Sequence, residues 1–229
     1  MSLFIKICGI TNEEDALLAV AVGADAIGFV FAPSSRQIAI TRVSEIVRRL
    51  PPDILTVGVF RNELPDRVIS VINNTGLMAA QLHGFESATQ VQKVKSEVRT
   101  VFKAVTAGSE SFQDAAAFGA DAVLVDSDEP GSGEVFDWQM AENAPQGVPL
   151  ILAGGLTPSN VAGAIRKVQP WGVDVSTGVE RSPGLKDPIL VRAFVEAARS
   201  TENESNDQED EVNILREDPY NWEDDPTWR

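Results

Sequence analysis

The chain has 229 residues, 43% of them hydrophobic and 23% charged, with a formal net charge of −15. That length allows one large α/β domain or two small ones, and the composition is ordinary for a globular protein. The acidity argues against general binding to nucleic acid or an anionic membrane, no apolar run of about 18 residues exists to span a bilayer, and a single cysteine excludes an intramolecular disulfide. The first residues lack the basic and apolar regions of a signal peptide, which fits a cytoplasmic, reducing compartment. Much of the charge is terminal. Residues 200–229 hold eleven acids and two bases, leaving −6 for the rest.

Residues 3–7 read as a buried strand that runs out at Cys8. Thr11 and Glu14 have capping-box spacing, predicting a helix over 12–22 with Gly23 as its end. Strands are expected at 26–31, 55–60, 78–82, 100–105, 122–125, 150–153 and 173–175. Helices are expected at 41–50, 65–75, 87–97, 111–118, 137–144, 157 onward and 187–199. Pro51-Pro52 stops the second helix, and Pro65 and Pro158 suit the starts of the third and seventh. Eight strand–helix pairs in about 200 residues indicate a parallel sheet, and eight closes a (β/α)8 barrel. An open doubly wound sheet is the alternative. The domain expected is a single barrel over 1–200, followed by an acidic, flexible tail over 201–229. Tyr220, Trp222 and Trp228 make an aromatic clip the alternative for that tail.

In a barrel, residues just past the strands share one mouth. These are Cys8, Arg36, Asp126, Gly154-Gly155 and Ser176-Thr177-Gly178. The glycine turns follow strands seven and eight, the recurrent phosphate site of such barrels, where backbone N–H groups approach an anion closely. An arginine suits a carboxylate, and also suits a solvated surface. Asp126 ends an apolar strand, so desolvation is expected to raise its carboxyl toward general-acid use; a loop cap is the plainer reading. A thiol at a strand end serves equally as packing or as chemistry. His83 is the only histidine, so a metal cluster is not expected.

Several stretches in order resemble one family. They are Lys6-Ile7-Cys8-Gly9-Ile10-Thr11, Gly28-Phe29-Val30-Phe31, Ser34-Ser35-Arg36, Val57-Gly58-Val59-Phe60, Gln81-Leu82-His83-Gly84, Phe136-Asp137-Trp138, Leu152 to Val161 and Asp174 to Glu180. Together they are similar to the phosphoribosylanthranilate isomerases of tryptophan biosynthesis, over residues 3 to about 199. The resemblance implies a (β/α)8 barrel and a cofactor-free Amadori rearrangement of N-(5-phosphoribosyl)anthranilate, a small phosphosugar, to the 1-deoxyribulose phosphate. It implies Cys8 as general base, Asp126 as general acid and Arg36 on the anthranilate carboxylate. It further implies Gly154, Gly155, Ser176, Thr177 and Gly178 on the phosphate. A monomer is the expected state. The chemistry needs a thiolate and a protonated carboxyl together, so the site is expected to lower the first and raise the second. The loop Pro130-Gly131-Ser132-Gly133-Glu134 departs from the family pattern. A related aldose–ketose isomerase would carry aspartates where this chain has Cys8 and Val105-Thr106. A non-catalytic phosphosugar-binding module would lack the thiol or the carboxyl, and both are present.

Overall fold

The computed structural model describes residues 2–126 and 147–214. The helix expected at 137–144, the loop 130–134, the Phe136-Asp137-Trp138 stretch and the aromatic residues of the tail lie outside them. Eight parallel strands close into a barrel: β1 (Phe4–Cys8), β2 (Ala26–Val30), β3 (Leu55–Phe60), β4 (Ala79–Leu82), β5 (Thr100–Thr106), β6 (Ala122–Asp126), β7 (Leu150–Leu152) and β8 (Gly172–Val175). Closure comes from β8 pairing back onto β1, Phe4 beside Gly172 through Ile7 beside Val175. Around them lie α1 (Glu13–Ala21), α2 (Ile40–Val47), α3 (Pro65–Thr75), α4 (Ala88–Lys95), α5 (Glu110–Gln113), α6 (Val161–Val168) and α7 (Pro188–Ile214). A hairpin, β9 (Glu180–Ser182) with β10 (Leu185–Lys186), stands between β8 and α7.

The period-2 alternation of the strands builds two cores. Ala26, Val57, Ala79, Phe102, Ala104, Ala122, Leu124, Ile151 and Ala153 cluster inside the barrel. Ile5, Ile7, Ile27, Phe29, Val101, Val123 and Val173 point the other way and pack under the helices. The floor is aromatic: Phe4 stacks on Trp171 at 4.6 Å and meets Phe102 edge-on at 6.1 Å. Among the described residues no helix is long and apolar enough to cross a membrane.

Several local expectations change. Thr11 does not cap α1; Asn12 does, its side chain accepting from Asp15 N at 2.8 Å. The helix opens one residue later than expected, and the Thr11 hydroxyl instead donates to Gly184 O in the β9–β10 hairpin. The helix expected over 111–118 splits into α5 and a 3-10 turn at Ala115–Phe118. Phe112 and Ala115 are buried at a spacing of three with Phe118 next, and a 3-10 turn puts such residues on one face. The helix expected from Thr157 starts at Val161, because the Asn160 side chain accepts from Thr157 N and donates to Gly155 O, holding residues 155–160 as a turn. Finally, α7 continues past Arg199 to Ile214. No proline or glycine interrupts that stretch, and its glutamates are good helix formers.

Candidate active site

Cys8, Asp126 and Asp174 stand at inward positions of β1, β6 and β8, toward the C-terminal mouth. Cys8 is two residues past Lys6 on one face of β1, and Asp126 shares its face with Ala122 and Leu124. All three are buried.

Asp126 borders two cavities. One is a cleft with about 50 Å³ of space, lined by Ala153 to Leu156, Asp174 to Gly178 and Asp126. The expected phosphate turns therefore do come together. Gly154 and Gly155 adopt φ of 79° and 63°, which side chains disfavour. Gly178 is needed for a different reason: a Cβ there would lie 1.9 Å from Leu156 O, so the two turns touch backbone to backbone. A 3-10 turn at Thr177–Val179 supplies the short extra helix usual at such sites.

The second cavity holds about 320 Å³ and is lined by Arg61, His83 to Ser87, Lys103 to Thr106, Ser111, Phe118 and Asp126. His83 Nε2 lies 3.4 Å from Asp126 Oδ2 but is poorly aligned for a hydrogen bond, while Gln81 Nε2 is 2.9 Å from His83 Nδ1. The loop carrying His83 is clamped from below. Lys103 Nζ donates to Gly84 O at 2.7 Å and to Glu86 at 3.0 Å, and Glu86 accepts from Asn62 N and Gly84 N.

Arg36 lines neither cavity. Its Nε and Nη2 donate to the two oxygens of Glu180 at 2.8 Å each, and Nη2 also reaches Thr177 Oγ1 at 3.2 Å. Lys186 Nζ adds a third charge, 3.0 Å from Glu180 and 3.0 Å from Ser176 O. Arg36 is thus bound into the wall beside the glycine turn through Nε and Nη2.

The Cys8 thiol is raised above its ordinary value, against expectation. Burial is the largest influence, and Asp174 adds to it, while Lys6 and Lys186 pull the other way without prevailing. The sequence alone leads one to expect positive charge or backbone N–H groups near the thiol without naming the residue, and it assigns no role to Lys6, Asp174, Glu180 or Lys186. The signal for the first two was there: each is a charged residue at an inward-facing position of an otherwise apolar strand.

A closed parallel barrel with a thiol, a carboxyl and two facing glycine turns at one mouth defines a (β/α)8-barrel enzyme with its site at the C-terminal face. Comparison makes the assignment specific. The profile of the family described as N-(5'phosphoribosyl)anthranilate (PRA) isomerase matches residues 5–197. The chain is 46% identical over 199 residues to the N-(5'-phosphoribosyl)anthranilate isomerase of Desulforudis audaxviator, covering 85% of this chain and 97% of that one. It is similar to the crystal structure of the phosphoribosyl anthranilate isomerase of Thermus thermophilus, with a TM-score of 0.82 and 38% identity over 86% of this chain and 99% of that one. A phosphoribosyl anthranilate isomerase in complex with reduced 1-(o-carboxyphenylamino)-1-deoxyribulose 5-phosphate is 39% identical with a TM-score of 0.76, covering 86% of this chain and 99% of that one. The chain belongs to the PRA isomerase family and is an isomerase of tryptophan biosynthesis.

Proposed function

We propose that Cys8 is the general base and Asp126 the general acid of the PRA isomerase reaction. Asp126 protonates the furanose oxygen of N-(5-phosphoribosyl)anthranilate, the bond from C1 to that oxygen breaks, and the nitrogen lone pair forms an iminium. The cation acidifies C2. The Cys8 thiolate takes the C2 proton, and the electron pair flows to the iminium to give an enolamine. Ketonisation, with a proton arriving at C1 and one leaving the C2 hydroxyl, yields 1-(2-carboxyphenylamino)-1-deoxyribulose 5-phosphate.

The observation that carries this reading is the position of Asp126 between the two cavities. A phosphosugar anchored in the glycine-lined cleft has its ring beside that carboxyl. Gly154, Gly155, Ser176, Thr177 and Gly178 are the phosphate ligands in this reading, through backbone N–H groups and hydroxyls. Remote phosphate binding then orients the reacting carbons. Arg36 takes the anthranilate carboxylate on its Nη1 side, because Glu180 occupies the other edge. No cofactor takes part in these steps.

The experiment is the decay of anthranilate-group fluorescence on mixing the protein with freshly generated substrate. Loss of the decay in both Cys8→Ser and Asp126→Asn, in protein that still folds, is expected. Full activity in either variant would remove that residue from its role.

A further inference from the structure

Lys6 and Cys8 are two residues apart on β1 and face the barrel interior together. In the register, Lys6 lies beside Asp174 on β8 and beside Ala26 on β2, while Cys8 lies beside Gly28. The Lys6 side chain is fully buried, and its Nζ donates to Asp174 Oδ1 at 2.8 Å. Gly28 locates the two reactive atoms. A Cβ on it would lie 2.7 Å from Cys8 Sγ and 3.2 Å from Lys6 Nζ, so both atoms crowd into the space its missing side chain leaves. Small neighbours, Ala26 and Ala79, line the same interior.

A lysine inside an apolar barrel is costly. A buried ion pair is often no better for stability than well-packed apolar side chains. The pair here stands directly beneath the residue that must become an anion. We propose that the Lys6 ammonium is the counter-charge of the Cys8 thiolate, held in place by Asp174, so that Lys6 is a positioning residue for the base. The inference rests on the reading of Cys8 as general base. Lys6 itself transfers no proton. When Cys8 takes the C2 proton, the three groups Lys6, Asp174 and Cys8 pass from a net charge of −1 to neutral, and the C2–H electron pair goes to the iminium.

Other charges face the thiol. Lys186 on β10 favours the thiolate, and the Arg36 guanidinium, on the loop after β2, is itself raised in part by the Cys8 thiolate. Glu180 neutralises part of both through its bonds to each. Lys6 is nevertheless the strongest of the charges that oppose burial at Cys8. Burial alone would lower the Lys6 ammonium, but Asp174 and the Cys8 thiolate together raise it.

Cys8 is the only cysteine, so its ionisation can be read without ambiguity. The test follows the ultraviolet absorbance of the thiolate against pH, in wild type and variants, each as a difference against Cys8→Ser. Lys6→Met is expected to raise the midpoint by about one pH unit or more, Asp174→Asn to lower it by a similar amount, and Lys6→Arg to stay near wild type. Opposite shifts from the two partners of one ion pair are not what general loosening of the barrel produces. Turnover by Lys6→Met should recover in part as the pH rises, with KM nearly constant. If Lys6→Met does not fold, Asp174→Asn decides alone. An unmoved midpoint in either folded variant, or a shift of the opposite sign, overturns the proposal. Should the midpoints move as expected while Cys8→Ser retains turnover, the assignment of Cys8 as base falls and the charge relationship stands.

Discussion

Arg36 and Glu180 are joined by two hydrogen bonds of 2.8 Å, tying the loop after β2 to the hairpin after β8. The pair is nearly closed to water, with 12% and 4% of the side chains exposed. Removing one member leaves the other with unmatched charge, so Arg36 has a structural part beside the binding one proposed for it. Arg36→Ala should lower stability by about 1–3 kcal/mol. It should also raise KM more than it lowers kcat, since a carboxylate is present in both ground and transition states. Steady-state kinetics beside Arg61→Ala check this. If Arg61→Ala raises KM and Arg36→Ala does not, the carboxylate lies in the larger cavity instead.

Gly178 shapes the cleft proposed to hold the phosphate by letting two backbones touch. Gly178→Ala places a methyl 1.9 Å from Leu156 O and must push the turns apart. Inhibition by inorganic phosphate should weaken at least tenfold, with the barrel still folded by circular dichroism. Unchanged phosphate inhibition would mean that the anion binds elsewhere.

Glu86 and Lys103 form a buried pair beneath the loop that carries His83. Burial favours protonation of Glu86, but Lys103 and the Asn62 N–H outweigh it and hold the carboxyl below its ordinary value of 4.5. As pH falls, the unfolded chain takes up this proton before the folded one. The pair's contribution is therefore complete above the unfolded value and is lost as pH drops through the lower folded value. Glu86→Gln should cost about 3 kcal/mol at neutral pH, because it strands the Lys103 charge. Thermal melts of wild type and variant should converge as the solution is made more acidic than the carboxylate range. A constant gap across pH would contradict the coupling.

The C-terminal helix does more near the barrel than composition indicates. Arg199 reaches Leu3 O and Asp25, Glu202 accepts from Leu3 N, and Thr201 is buried. A chain ending at 202 should melt within a degree or two of the full chain, roughly the scatter of half a kcal/mol. A chain ending at 200 keeps Arg199 but loses Glu202 and the buried Thr201, and should melt a few degrees lower. Equal melting of the two truncations would show that the Glu202 contact contributes nothing.

Much of this fold was legible in the sequence because strand and helix carry different periods. The strand at Leu55–Phe60 and the helix at Pro65–Thr75 fall at their expected bounds, where a buried apolar run and an N-terminal proline mark them clearly. Capping at α1 was misread because Thr11 and Asn12 are both competent caps, and only the hairpin contact to Gly184 tells them apart. Strand ends likewise brought Cys8, Asp126 and the two glycine turns to one mouth. What strand ends could not show is the direction of charge around the thiol. Lys6 and Asp174 are 168 residues apart and meet only because β8 closes onto β1. The expectation of a lowered thiol failed for the same reason, since the extent of burial depends on closure of the barrel.

The central claim is that one thiol and one carboxyl move the protons. Its most direct measurement is single-turnover decay of substrate fluorescence for wild type, Cys8→Ser and Asp126→Asn at saturating enzyme, where binding no longer limits the rate. Each variant should fall by about 10²–10⁴, the range of a positioned acid or base. Binding of a reduced product analogue should stay within a few-fold of wild type. A rate within tenfold of wild type in either variant would contradict the account, whatever the two glycine turns and Arg36 do.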